Sequence, residues 1–304
     1  MGEYTVAVIG VGTVGQSWAA LFLSYGNKVR LWDPAEGLAD RFAEYLETVV
    51  TEEPLPSQPE LGTLWTVCST VEEALEGATF VQENAPENME VKRAMLRQID
   101  EALPTDVIVG SSTSSFLLKD MVAECTRAPE RFVLSHPFNP PHLMPLVELF
   151  GTSDDSVASA IAFYRSVGRH PITMKRQLPG HVANRLTSAI FREAVWMLKE
   201  GIASVADIDA AMSQGPGMRF AHMGPFQTYH LANGDNGIKG YLDHLGPSQV
   251  ARWASLGDSP ELDEELKEKI VAGVDDMVEG KSIAELGAAR DAILMEILSA
   301  KSRL

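Results

Sequence analysis

The sequence predicts an α/β protein: a Rossmann-type doubly wound sheet domain over residues 1–178, followed by an all-α domain over 179–304. Three observations carry this reading. Short apolar, β-rich runs recur at 5–9 (TVAVI), 28–32 (KVRLW), 78–82 (ATFVQ), 106–110 (DVIVG) and 131–135 (RFVLS), as strands buried on both faces of a parallel sheet require. Segments of helical character separate them at 14–25, 35–50 and 87–103, which makes βαβ units. After HPITMK (170–175) the strand-like runs stop, Pro179 and Gly180 interrupt the chain, and the remainder reads as helices.

The whole-chain numbers limit what such a protein does. A chain of 304 residues, 45% hydrophobic and 22% charged, buries a sizeable core and suits two domains. Its formal net charge of −17 opposes approach to nucleic acid or an anionic membrane surface. A small-molecule substrate or a protein partner fits better. Cys68 and Cys125 lie far apart without CxxC or Cys/His ligand spacing, so neither a disulfide framework nor a metal site is expected. With no basic, apolar leader and no run near the ~20 apolar residues of a membrane span, the cytoplasm is the expected compartment.

The first strand runs directly into VIGVGTVGQSWAALF, which places Gly10, Gly12 and Gly15 at GxGxxG spacing where a helix begins. In that context the first glycine makes the tight turn and the second, beside Thr13 and Val14, lets the backbone approach a pyrophosphate. The third lets helix pack on strand. This defines a Rossmann-type domain with the free N–H groups of the helix facing phosphate. The second strand ends at Asp33, where a carboxylate accepts hydrogen bonds from an adenosine ribose and repels a 2′-phosphate. Pro34, Ala35 and Glu36 bring no arginine, so NAD is favoured over NADP. The acidic stretch TEEPLPSQPELG (51–62) is expected to be an exposed loop.

Further along, RFVLSHPFNPPHLMPLVELF carries two histidines and one glutamate. His136 closes a strand-like run, Glu148 lies inside LVELF, and the proline-rich loop between them can lay two strands side by side. A buried glutamate is costly unless paired. An imidazole N–H is a suitable partner, and it fixes the ring tautomer while raising the basicity of the other nitrogen. His142 has no partner at an informative spacing and reads as a loop histidine. In the helix expected over 181–200, Val182, Leu186, Ala189, Ile190 and Met197 form one apolar stripe, with Phe191 and Val195 on another side. Such a helix is expected to be buried between domains or subunits.

Several motifs in this order, GVGTVGQSWA, ENAPENMEVK, GSSTSSF, HPFNPPHLMPLVE and PGHVANRL, resemble the 3-hydroxyacyl-CoA dehydrogenases and their relatives that act on free 3-hydroxy acids. The resemblance covers nearly the whole chain. The segments HPFNPPHLMPLVEL, EGIASVADIDAAMSQGPGMRFAHMGP and TYHL look most like the lambda-crystallin and L-gulonate 3-dehydrogenase branch, and carnitine dehydrogenases are similar in the same places. The resemblance implies His136 as general acid/base and Glu148 as the carboxylate that orients it. It implies Ser114 as a hydrogen-bond partner of the substrate oxygen, with Ser115 its rival, and Asn184 as an amide donor to the developing keto oxygen; Asn184 satisfying local backbone is the alternative. Asn84, Ala85, Glu87, Lys92 and Asn139 are implied on the nicotinamide side, against a plain solvated helix start for Glu87 and Lys92. A homodimer through the helical domain is implied as well.

The substrate is the least legible part. The thioester-using relatives that this chain resembles carry a longer, lysine-bearing helical excursion after the second strand; here, from 35 to 62, Arg41 is the only basic residue against Glu36, Asp40, Glu44, Glu47, Glu52, Glu53 and Glu60, a departure that disfavours a CoA thioester. A free acid needs its carboxylate neutralised, and Arg219 in GPGMRFAHMGP offers a guanidinium; pairing with Asp207 or Asp209 is the alternative. The expected reaction is NAD-dependent oxidation of a small L-3-hydroxy acid such as L-gulonate. The alternatives are carnitine, with Trp196, Phe220, Phe226 and Tyr229 available to a trimethylammonium group, and oxidation of a 3-hydroxyacyl-CoA. A non-catalytic NAD-binding protein is the competing class.

Overall fold

The computed structural model describes residues 2–303 except 3, 52 and 54, so Glu52 of the acidic stretch lies outside the described residues. The chain forms two compact units, residues 1–185 and 186–304. The first holds one eight-stranded sheet made of β1 (Thr5–Ile9), β2 (Lys28–Trp32), β3 (Trp65–Val67), β4 (Phe80–Glu83), β5 (Ile108–Ser111), β6 (Phe132–Pro137), β7 (Leu146–Gly151) and β8 (His170–Thr173), in the order β3-β2-β1-β4-β5-β6-β7-β8. Every neighbouring pair is parallel except β6 and β7. The order reverses between β1 and β4, and in such sheets a ligand crevice opens at that point beyond the carboxyl ends of the strands.

Alternation along β1 shows how the two layers form. Val6 and Val8 join a core with Trp18, Phe22, Phe163 and Tyr164, from α1 (Thr13–Ser24) and a later helix over Asp154–Ser166. Ala7 and Ile9 face the other way, into a core with Leu75, Leu96, Ile99 and Met121. Strands buried on both sides explain why these runs carry so few polar residues. Between β2 and β4 the chain forms α2 (Leu38–Thr48), α3 (Gln58–Leu64) and α4 (Val71–Leu75), and α5 (Met89–Ala102), α6 (Leu118–Met121) and α7 (Asp154–Ser166) follow. Helix starts carry local caps: Thr70 accepts from the Glu73 N–H, Asn88 from Glu90 and Val91, and Ser153 from Ser156.

The expected exposed loop over 51–62 is corrected in part. Residues 58–64 are α3, and Thr51 and Leu61 are buried, because Leu61 joins the core formed by Leu38, Phe42 and Leu46 of α2. The three-residue strand β3 has no signal of its own in the sequence. Only the register with β2, Val29 beside Trp65 to Leu31 beside Val67, makes it a strand.

The second unit is helical. It contains most of α8 (Ala183–Lys199), then α9 (Val205–Gln214), α10 (Pro216–Phe220), α11 (Pro225–Leu231), α12 (Gly237–Ala254), α13 (Glu264–Val278) and α14 (Ile283–Lys301). Within this single chain Val195 of α8 is buried, whereas Leu186, Ile190 and Phe191 are exposed. A largely apolar groove of about 800 Å³ runs past Ile190, Phe191, Val195, Met212, Ile270 and Met277. No helix among the described residues is long and apolar enough to cross a membrane.

Candidate active site

The glycine loop has the geometry its spacing predicts. Gly10 sits at φ +87°, a left-handed conformation that glycine adopts without penalty, and its N–H donates to the Trp32 carbonyl. A side chain on Gly15 would meet the Gly10 carbonyl oxygen at 1.9 Å, so helix and loop pack as close as a missing Cβ allows. At Gly12 the space is open, with nothing within 4 Å of where a Cβ would stand. Gly12 is the N-cap of α1 and offers no side chain to its first N–H groups. Loop, open space and uncapped helix start fit a dinucleotide pyrophosphate.

Asp33 braces this loop as well as closing β2. Its Oδ2 accepts from the Val11 N–H at 2.7 Å and its Oδ1 from the Ala35 N–H at 2.9 Å. Across the β1/β4 switch point, the Asn84 amide donates to the Gly10 carbonyl at 3.3 Å. The two residues fix the loop from opposite strands.

Beyond β4 a buried ionic cluster shapes the next wall. Lys92 is 1% exposed and donates to Glu83 at 3.0 Å and to the Ala85 carbonyl at 3.0 Å. Glu83 also accepts from the Ala85 N–H at 2.6 Å and from the Ser111 hydroxyl. Lys92 is therefore not the start of a solvated helix. Glu87 accepts at one oxygen from the Thr113 and Ser115 hydroxyls and from the N–H groups of Ser114 and Ser115. Burial pushes its carboxyl up, but these donors and Lys92 outweigh it and hold Glu87 below the ordinary carboxylate range. Ser115 is turned onto Glu87, and Ser114 lines the adjoining cavity.

His136 and Glu148 stand directly opposite each other in the β6/β7 ladder. Paired positions share a face of the sheet, which brings the His136 Nδ1 to 2.8 Å from the Glu148 Oε2. The other oxygen, Oε1, accepts from the N–H groups of Val182 and Ala183 at 2.8 and 2.9 Å, where α8 begins. Burial raises the Glu148 pKa, yet the His136 N–H and the two backbone donors together bring it below the usual carboxylate value. The carboxylate is thus charged, and Nδ1 carries the proton it accepts. The turn between the strands contains a cis peptide at Asn139-Pro140.

One cavity of about 420 Å³ gathers most of the sequence-predicted residues: Val14, Asn84, Ala85, Glu87, Lys92, Ser114, His136, Asn139 and Asn184 all line it. Glu148 is fully buried and reaches the cavity only through His136. Arg219 belongs to the second unit, where it is exposed on α10 and makes no ion pair with Asp207 or Asp209 among the described residues. His142 lies in the turn between β6 and β7, the loop position expected of it, but it has a distant partner. It is 5% exposed, with Nδ1 2.8 Å from the Ser17 hydroxyl of α1, which in turn accepts from the His142 N–H. Sequence reasoning missed Glu83, Thr113 and His181. A lysine too deep for solvent needs a carboxylate, so Glu83 at the end of an apolar run was a readable signal; Thr113 and His181 act through contacts that no local pattern announces.

A doubly wound sheet with this glycine loop, and a buried His136–Glu148 pair beside the same cavity, is the arrangement of the dinucleotide-dependent dehydrogenases. Residues 5–177 match the 3-hydroxyacyl-CoA dehydrogenase NAD binding domain and residues 180–272 the C-terminal domain of the same family. The chain belongs to the 3-hydroxyacyl-CoA dehydrogenase family and is an NAD-dependent 3-hydroxy-acid dehydrogenase. Among its relatives, L-carnitine dehydrogenase of Streptomyces griseus is 43% identical, with 98% of this chain and 90% of that protein covered. L-carnitine dehydrogenase of Streptomyces coelicolor is 44% identical, covering 98% and 95%. Of solved structures, an NAD+ dependent dismutase, 5-formyl-3-hydroxy-2-methylpyridine 4-carboxylic acid 5-dehydrogenase, superposes with a TM-score of 0.82 at 27% identity over 98% of both chains.

Proposed function

We propose that this chain oxidises L-carnitine to its 3-keto acid with NAD. The observation that carries the choice of substrate is the likeness, over 98% of the chain, to relatives named L-carnitine dehydrogenase. It favours the carnitine alternative over the L-gulonate reading. The short acidic segment after β2 fits a substrate without CoA phosphates.

The chemistry follows from the His136 and Glu148 geometry. NAD, when bound at the glycine loop, supplies the hydride acceptor. As C3–H leaves as hydride, the hydroxyl proton must depart, and His136 takes it at Nε2 because Nδ1 is committed to Glu148. The imidazolium that results is stabilised by the Glu148 carboxylate at 2.8 Å. Ser114 and Asn184, which line the same cavity, hydrogen-bond the substrate oxygen. Asp33 receives the adenosine ribose, with Gly10, Gly12, Thr13 and Gly15 around the pyrophosphate and Asn84, Ala85, Glu87, Lys92 and Asn139 on the nicotinamide side. Arg219 neutralises the substrate carboxylate, and the enzyme works as a homodimer. Two free, buried cysteines suit the reducing cytoplasm.

A single panel tests this reading. NADH formation is followed with L-carnitine, L-gulonate and 3-hydroxybutyryl-CoA; L-carnitine is expected to give the highest kcat/KM, and a higher value for either rival overturns the substrate. In the same panel His136→Ala abolishes turnover, and Arg219→Met raises KM for the acid while leaving KM for NAD unchanged.

A further inference from the structure

His181 lies where three pieces of the site meet. Its side chain is buried, 1% exposed, and its ring centroid is 5.0 Å from that of His136 at an interplanar angle of 57°. Its Nε2 is 3.4 Å from the carbonyl oxygen of Thr113, the residue before Ser114. Its neighbours Val182 and Ala183 donate to Glu148, and Asn184 follows at once. The backbone of His181 has φ +47°, directly after Gly180 at φ +75°. A residue with a Cβ seldom occupies this region, and it persists there when the surroundings over-determine it.

The hydrogen bonds fix the state of the ring. A carbonyl only accepts, so Nε2 carries the proton and Nδ1 of the neutral ring is a bare acceptor. Among the described residues nothing donates to that Nδ1. An orphaned buried nitrogen is costly, and an apolar ring would avoid the cost. The strain and the orphaned acceptor both fall on an imidazole whose other edge and face touch the parts of the site.

We propose that His181 is a positioning residue for the reaction: as a neutral imidazole it ties the Ser114 loop to the start of α8 and abuts the His136 ring, and a second proton, buried at Nδ1 without an acceptor and beside His136, disfavours this closed arrangement as a whole. The role for the reaction rests on the reading of His136 as the acid/base. The charged and titratable groups facing His181 are His136 on β6, Glu148 on β7, and Glu87 after β4, with Lys92 3.7 Å behind Glu87. Burial most of all, and then His136, holds the His181 pKa below the ordinary imidazole value; the Thr113 carbonyl and the two carboxylates oppose this without outweighing it. A depressed folded value means that the tied arrangement keeps its full stability above the ordinary imidazole pKa of about 6.5 and loses it as pH falls below. A protonated Nδ1 would also need an acceptor that its surroundings lack.

The test uses the full chain and two readouts. Hydrogen exchange, corrected for its intrinsic pH dependence, is measured from pH 8 to about 5.5 on peptides over 112–117 and 181–186, which contain the amides donated to Glu87 and Glu148. In the parent, both peptides are expected to lose protection together below about pH 6.5. In His181→Gln, which keeps an N–H near Nε2 but gains no proton, protection persists. In steady-state kinetics at neutral pH, His181→Phe keeps a ring without the N–H and lowers kcat about tenfold with KM for NAD little changed, and His181→Gln recovers most of that loss. Exchange independent of pH in the parent, or equal impairment of the Phe and Gln variants, overturns the proposal. Should His181→Phe fail to fold, exchange in the parent and in His181→Gln decides alone. Turnover that survives His136→Ala defeats the acid/base reading instead, and leaves the exchange result on His181 to stand or fall by itself.

Discussion

The two oxygens of Glu148 have separate duties: Oε2 holds the His136 N–H, and Oε1 holds the first free N–H groups of α8. An amide cannot accept at both places, so Glu148→Gln must set its own NH2 against a donor on one side. Loss of the correct tautomer and of charge stabilisation at His136 is expected to lower kcat about 100-fold, with KM for NAD unchanged in steady-state assays. The pH dependence has a definite sign. With the folded pKa of Glu148 held below 4.5, its contribution is fully present above that value and is lost as pH falls through the folded pKa. Acid unfolding monitored by circular dichroism should therefore carry this loss in the parent, and Glu148→Gln should flatten the stability profile below about pH 4.5. Much of this pair was readable beforehand, since a glutamate inside LVELF and a histidine closing RFVLS are strand patterns joined by one loop. Which serine faces the cavity was not, because one residue's shift exchanges Ser114 and Ser115 and only the Glu87 contacts decide it.

The glycine loop and α1 form the element proposed to hold NAD, and their glycines separate folding from binding. Gly12→Ala adds a methyl to open space, so the thermal midpoint should stay within about 2 °C while NAD affinity, measured by calorimetry, falls at least about tenfold because the methyl occupies the pyrophosphate approach. Gly15→Ala places its methyl 1.9 Å from the Gly10 carbonyl oxygen, and the backbone must shift. Overpacking of this kind costs about 1–3 kcal/mol, read as a lower melting temperature even without NAD. The opposite ordering of the two variants in stability would refute this division. Both positions follow from spacing alone. The brace that His142 and Ser17 place between α1 and the His136 loop does not, because its partners are 125 residues apart.

At the scale of the whole molecule, the second unit exposes large apolar side chains that a lone chain has no use for: Phe191 is 59% exposed, Phe226 84% and Ile283 86%. Exposed apolar surface on this scale marks an interaction face, in accord with the proposed homodimer. Sedimentation at micromolar concentration should give about twice the chain mass, and Phe191→Asp should shift it toward the monomer; a monomeric parent defeats the proposal. The sequence by itself determined the doubly wound sheet, the helical second part, the glycine loop with Asp33 at the end of the second strand, and the pairing of His136 with Glu148. Each of these rests on periodicity, glycine spacing or two strands joined by a short connection, and such signals are local. Only the tertiary structure decided that Lys92 is buried on Glu83, that His142 is wired to α1, that Ser114 rather than Ser115 lines the cavity, and that His181 abuts His136. Those outcomes depend on which distant side chains the sheet order brings within hydrogen-bonding distance, and burial then makes the partners obligatory, because a charge or polar group removed from water must be satisfied where the fold has put it.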